Sequence, residues 1–226
     1  MKKIWNSFFG GVGISNHISE DLEVGFSSYG PSLGLSGVFS VKDTHEFVHK
    51  IVLSIQSSGH SDHHDLEWFA FREHDFVTGD FSDMHAKSPS KFMVLPLNPK
   101  PYNILFVDNA RYAEMKPHLQ ELKMYWHLGP KYDPRVNTLP EDFLKRSDVL
   151  ESLQSIESLC YWQPEHYQVF MKVVAGSKSR EILFERSFHL TEDKTSALKN
   201  NVLKIADEVC CRVPTKYTTA KTALNI

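Results

Sequence analysis

Two stretches of alternating apolar and polar residues, at positions 33–41 and 47–55, constrain the fold of this chain more than any other feature. Leucine, phenylalanine and valine occupy most odd positions of the first stretch, with glycine and serine between them. Phenylalanine, isoleucine and leucine occupy most odd positions of the second. A two-residue period is typical of a β-strand with one buried and one solvent-exposed face. We therefore expect two strands joined by a turn at residues 42–44.

The second stretch also spells the zinc-protease motif His-Glu-x-x-His at residues 45–49. In a helix, His45 and His49 would lie one turn apart and could share a zinc ion, with Glu46 as the general base. In a strand, their Cα atoms would lie about 13 Å apart, too far for two zinc–nitrogen bonds of about 2.1 Å without strain. The β-branched residues of this stretch favour the strand. The polar residues 42–44 before the motif also differ from the apolar residues that usually precede it in zinc proteases. A zinc-dependent hydrolase that uses these three residues is the alternative interpretation.

A second group of metal-capable side chains lies in a polar stretch between two expected strands. It contains His60, His63 and His64, interleaved with two aspartates. Imidazoles in a loop can bind a transition metal, so these residues form a weaker candidate metal site. Polar residues are also what a solvated connection between strands requires, and that is the interpretation we favour.

Charge and cysteine content narrow the functional classes. The 226-residue chain has a net charge of −3 and a pI of about 6.5. A nucleic-acid-binding protein needs a basic surface to neutralise phosphates, so we expect no nucleic-acid partner. The three cysteines, Cys160, Cys210 and Cys211, are odd in number and include an adjacent pair, which suggests no disulfide framework. A reducing compartment fits this pattern best, and we expect a soluble, cytoplasmic protein.

The first ten residues carry a short apolar face. Ile4, Trp5, Phe8 and Phe9 would line one side of a short helix. We expect this face to dock on the core of the same domain, with a partner's groove or peripheral membrane contact as alternatives. No apolar run is long enough to cross a bilayer.

The order of the periodic segments predicts the fold class. About eight strands and three helices are expected, with the strands in consecutive runs rather than in βαβ alternation. This order favours a mainly β fold, an antiparallel β-sandwich in a single domain spanning residues 1–226. We expect a helical insertion at about 110–165, a C-terminal helix at about 192–212 and a loose tail after it. The arrangement resembles an immunoglobulin-like sandwich, although the Cys–Trp–Cys spacing of true members is missing.

Function is predicted mainly from what the sequence lacks. Neither a nucleophile elbow, a phosphate-binding loop nor a dinucleotide fingerprint is present. We therefore expect a non-enzymatic protein-interaction or binding module without a cofactor. Its partner would be another protein, contacted through loops at 56–65 and 73–91 or through the helical insertion.

Overall fold

The computed structural model describes residues 13–59, 63–74, 81–87, 90–129, 132–176 and 179–225. Within these ranges the chain forms ten strands and five helices. The strands are β1 (Ile14–Ser27), β2 (Gly30–Val41), β3 (Glu46–Ser57), β4 (His63–His74), β5 (Phe81–Lys87), β6 (Phe92–Val94), β7 (Lys100–Val107), β8 (His166–Ala175), β9 (Arg180–His189) and β10 (Ala220–Ala223). The helices are α1 (Asn109–His127), α2 (Glu141–Leu144), α3 (Ser147–Ser158), α4 (Glu192–Lys199) and α5 (Asn201–Cys211).

All the described strands belong to one antiparallel sheet that curls into a nearly closed barrel. Its main path runs β10-β1-β2-β7-β4-β3-β8-β9, with β5 beside β4 and β6 beside β3. The two ends of this path meet where Asn225, just after β10, forms a bridge with Ser187 in β9. The predicted mainly β class is confirmed. The immunoglobulin-like sandwich is not confirmed, because the strands curl into one sheet instead of two facing sheets.

Alternation along the strands places one set of side chains inside the barrel. Leu33 and Leu35 of β2, Leu53 of β3 and Ile104 and Phe106 of β7 are all buried. The ladder pairs Leu33 with Phe106 and Leu35 with Ile104, so their side chains lie on the same, inner face. Residues 33–41 and 47–55 are strands, as their two-residue period predicts.

The helices cover the end of the barrel where β1 finishes and β2 begins, here called the capped end. The side chains of Met115, Leu122, Ile156 and Ile205 on α1, α3 and α5 are fully buried in this layer. Trp162 anchors the layer to the barrel, because its indole nitrogen donates to the carbonyl of Gly25 at 3.0 Å. None of the helices in the described ranges is both long enough and apolar enough to cross a membrane.

The helical insertion and the C-terminal helix differ in how they agree with the prediction. α1 begins at Asn109, close to the expected start of the insertion, because the Asp108 side chain accepts a hydrogen bond from the Arg111 amide and caps the helix. Pro117 lies inside this helix. The expected C-terminal helix at 192–212 is observed as two helices, α4 and α5, separated by Asn200.

Two segments expected to be irregular contain strands. Within the expected 73–91 loop, β4 continues to His74 and β5 occupies Phe81–Lys87. In the expected loose tail, β10 pairs with residues 21–24 of β1. The tail sequence Ala-Lys-Thr-Ala has little apolar content, so its strand depends on backbone pairing with β1 and not on a pattern of its own.

Asn201 joins the helical layer to the end of β1. Its side-chain nitrogen donates to the carbonyls of Phe26 and Thr218, and its oxygen accepts from the Thr218 amide. The residue is completely buried. We expect Asn201→Ala to lower the free energy of unfolding by about 3 kcal/mol, because it leaves buried backbone groups without partners. Urea denaturation measures the change. The exposed neighbour is the control: a loss of similar size in Asn200→Ala would contradict this role for Asn201.

Candidate interaction surface

The His-Glu-x-x-His residues lie at the start of β3, in extended backbone. His45 directly precedes the strand, and Glu46 is its first residue. The rings of His45 and Phe47 are 6.4 Å apart, and those of Phe47 and His49 are 6.5 Å apart. Phe47 therefore lies between the two imidazoles. The helical spacing that this motif needs to hold zinc is absent here.

Each imidazole of the polar stretch is in a different setting. His60 is outside the described residues. His63 is exposed and pairs with Asp65, at 3.1 Å. His64 is largely buried, with its Nδ1 atom 3.5 Å from Asp108 Oδ2. Among the residues that the structure describes, no group of three or more His, Cys, Asp and Glu side chains is placed to hold a metal ion.

His64 belongs to a packed polar cluster that sequence analysis missed. Its ring stacks on Tyr161 with the ring centres 3.7 Å apart. The Asp108 side chain is only 3% exposed, so it lies beneath the surface while its other oxygen caps α1. The Tyr161 hydroxyl has no hydrogen-bond partner among the described residues, and burial raises its pKa well above the ordinary value. The cluster joins β4, the β7–α1 connection and the segment before β8.

The barrel interior is filled by side chains. The Tyr102 hydroxyl donates to Asn16 Oδ1 at 2.9 Å, and the Asn16 amide contacts the sulfur of Met171. Burial is the main reason that the pKa of Tyr102 lies above its ordinary value. The crevice between Ile18 and Phe184 is too narrow for a water molecule. The described part of the barrel therefore resembles a packed core more than a ligand-binding cup.

The cysteines have the properties of core residues. Cys160 and Cys210 are buried, and burial raises the pKa of each thiol to about 12. The thiolate is the nucleophilic form, so neither side chain is activated for covalent chemistry at neutral pH.

Exposed apolar side chains gather where β6 lies beside β3, at the end of the barrel opposite the helices. Met93 is paired with Phe47 in the ladder, so both side chains project from the same side of the sheet. Leu95 follows two residues after Met93, and Leu97 lies at the tip of the next turn. The exposed fractions of Phe47, Met93 and Leu95 are 45%, 42% and 40%. We call these four residues the apolar turn face.

Leu97 has an unusual backbone conformation. Residues 95–98 form a tight turn in which the Asn98 amide donates to the Leu95 carbonyl. Pro96 occupies its second position and Leu97 its third, with φ of 60°. Glycine or asparagine is the usual residue there, because a side chain in the left-handed region is strained. Leu97 is also fully exposed, at 100%.

The two segments that contribute the apolar turn face carry an excess of positive charge. Segments 42–50 and 90–100 contain Lys42, Lys50, Lys91 and Lys100, all exposed, against only Asp43 and Glu46. The whole chain carries a net charge of −3, so these two segments differ in sign from the average. A ligand that fits here would combine apolar and acidic groups.

Sequence analysis did not identify this surface. The sequence did contain one indication of it, the Pro96-Leu97 pair at the centre of a four-residue turn. Leucine is unfavourable at the third position of such a turn, so its presence there could have drawn attention to this segment. The N-terminal residues Ile4, Trp5, Phe8 and Phe9 lie outside the described residues.

Comparison with known proteins does not assign this chain to a family. No protein-family model, no curated protein and no solved structure matches this chain.

The strand geometry predicts the outcome of a zinc-binding measurement. We expect that protein incubated with zinc and then dialysed retains no zinc that depends on His45 or His49, because Phe47 separates their rings. Elemental analysis of wild type beside the double variant His45→Ala/His49→Ala measures this. Stoichiometric zinc present in wild type and missing from the variant would contradict the expectation.

Tyr102 and Tyr161 both have buried hydroxyl groups, and removal of the hydroxyl should change stability differently at the two positions. Tyr102→Phe leaves Asn16 Oδ1 without its donor, and we expect a loss of about 1–2 kcal/mol in the free energy of unfolding. Tyr161→Phe removes a hydroxyl that has no partner within the described ranges, so stability should stay equal or rise by up to about 1 kcal/mol. Urea denaturation of the two variants provides a matched comparison. Equal losses would show that Tyr161 has a partner.

Proposed function

We propose that this protein is a non-enzymatic binding module that recognises another protein through the apolar turn face. The proposal locates recognition at the opposite end from the helices, on residues that two separate segments contribute. It replaces the expected contacts through the 56–65 and 73–91 loops. Four of the exposed large apolar side chains of the described chain lie on β3, β6 and the turn that follows: Phe47, Met93, Leu95 and Leu97.

Leu97 carries the proposal. Its side chain is fully exposed, so it contributes no packing to the fold, and its left-handed backbone costs about 1 kcal/mol or more relative to glycine. A residue that is unfavourable for stability and projects from a turn is well suited to inserting into a partner's pocket. Exposed apolar side chains clustered around it are typical of an interaction site.

Charge defines the partner's chemistry. The exposed lysines around the face favour a partner with carboxylates flanking an apolar segment, such as an acidic amphipathic helix or loop. Complementary charges of this kind speed association and are screened by salt. Apolar contacts at the centre would provide most of the binding free energy.

The strain at Leu97 allows stability and binding to be separated. We expect Leu97→Gly to keep or raise the free energy of unfolding, by up to about 1 kcal/mol, because glycine adopts this backbone conformation freely. The same substitution should weaken partner binding at least tenfold, by removing an apolar anchor. Thermal unfolding and a binding titration on one protein preparation measure both. A stability loss above about 2 kcal/mol would mean that Leu97 packs in the native fold and would contradict the proposal.

Site-specific photo-crosslinking in the source cells tests where the partner binds. A benzoylphenylalanine residue at position 97 should give one discrete protein adduct, which mass spectrometry then identifies. Leu203 on α5 is half exposed at the capped end, and the same residue placed there is the matched control. The adduct at position 97 should disappear in a Met93→Asp background and weaken as ionic strength rises.

Two outcomes would overturn the proposal. Equal adducts at positions 97 and 203 would mean that exposed apolar residues crosslink without specificity. Cosedimentation with vesicles of 70% phosphatidylcholine and 30% phosphatidylglycerol, lost in Leu97→Asp, would identify an anionic membrane and not a protein as the partner. Lysines beside apolar residues can also bind an anionic membrane surface.

A further inference from the structure

His166 and His189 face each other across the ladder between β8 and β9. The register pairs the two residues directly, and their ring centres are 4.5 Å apart with the ring planes inclined by 54°. The next pair along the ladder, Tyr167 and Phe188, is buried inside the barrel. Successive residues of a strand point to opposite faces, so the two imidazoles lie on the outer face of the sheet.

The backbone hydrogen bonds explain why the two rings lie so close. The carbonyl of His166 accepts from the Ser58 amide at 2.9 Å, and the carbonyl of His189 accepts from the Thr222 hydroxyl at 2.9 Å. Both carbonyls therefore point away from the space between β8 and β9. This is the non-hydrogen-bonded type of antiparallel pair, in which the Cα atoms are about 4.5 Å apart instead of about 5.5 Å.

Both imidazoles are available to a ligand. His166 is exposed and His189 is partly buried. Within the described residues, no hydrogen bond or ion pair engages a ring nitrogen of either side chain, and their one ring contact is with each other. Imidazole is a ligand suited to nickel, copper and zinc.

The separation of the rings fits two ligands of one metal ion. With a metal–nitrogen bond of about 2.1 Å and a ring nitrogen about 1.1 Å from its ring centre, the ion would lie about 3.2 Å from each centre. Ligands at a right angle would then have ring centres about 4.5 Å apart, whereas a tetrahedral angle would separate them by about 5.2 Å. The observed 4.5 Å matches the right angle. Square-planar and tetragonal sites have this angle, and Cu²⁺ and Ni²⁺ favour them.

We propose that His166 and His189 chelate a divalent transition metal of this kind, Ni²⁺ or Cu²⁺, on the outer face of the barrel. Cu²⁺ would bind more tightly, as the general order of metal affinities requires. No third His, Cys, Asp or Glu side chain in the described ranges joins the pair, so water would occupy the remaining positions. The pair lies beside Ser58, just past the end of β3, whereas Phe47 lies near the start of that strand. The metal site is therefore separate from the apolar turn face.

Calorimetric titration of the full chain with nickel chloride in slightly alkaline buffer tests this inference. Wild type should bind one equivalent that depends on both residues. His166→Gln and His189→Gln should each weaken this binding about a hundredfold, because either change removes the gain from a second ligand that binds within the same molecule. The double variant should lose little more than either single variant. His45→Gln/His49→Gln is the matched control and should bind like wild type, since Phe47 separates those two rings.

Electron paramagnetic resonance of the Cu²⁺ complex counts the coordinated nitrogens directly. The hyperfine splitting should show two imidazole nitrogens in wild type and one in each single variant. Both side chains lie on the outer face of the sheet, so these substitutions should leave the fold intact.

Several results would overturn the inference. Wild-type affinity in the double variant would assign the metal to other residues. Losses that add, with the double variant far weaker than either single variant, would show two independent ligands and no chelate. One metal per two chains, together with a dimer in size-exclusion chromatography, would assign the ion to an interface between two copies of the chain.

Discussion

The structure depends on one constraint: the sheet has one apolar face, and this face must be shielded from water. The sheet achieves this by curling so that its own strands enclose that face. Each main strand presents alternating apolar residues, and curling the sheet brings these residues together as one core. The inner residues of β2, β3 and β7 are almost completely buried as a result. The helices are needed only at one end, where Trp162 and Asn201 bond to the last carbonyls of β1.

This construction leaves specific places where packing is incomplete. At the end opposite the helices, β6 buries Val94 and partly buries Phe92, while Met93 and Leu95 remain exposed on its other side. Between β1 and β9, the described part of β10 pairs with residues 21–24 of β1 and contacts β9 through Asn225 and Ser187. The proposed interaction surface lies at the first of these places, where apolar side chains remain exposed. Near the capped end other apolar side chains are exposed, among them Leu203 on α5 and the contacting rings of Tyr29 and Phe69.

Local periodicity predicted much of the secondary structure and part of the site. The strands at 33–41 and 47–55 followed from a two-residue period, and this also placed His45 and His49 in extended backbone. The prediction failed where no periodic pattern was available. β10 is a strand because β1 lies beside it. The sequence identified His64 as a possible ligand, but its contacts with Asp108 and Tyr161 join residues far apart in the chain.

By itself, the sequence determined the mainly β class, the extended conformation of the His-Glu-x-x-His segment and the buried face of residues 51–55 in β3. These properties arise from side-chain alternation and β-branching within a few residues, so a local pattern is sufficient. Only the tertiary structure decided that the strands form a barrel instead of a sandwich. It also decided that Phe47 pairs with Met93, and that β10 lies beside β1. Those features depend on which strands pair and in which register, and pairing between distant segments leaves no local signal in the chain.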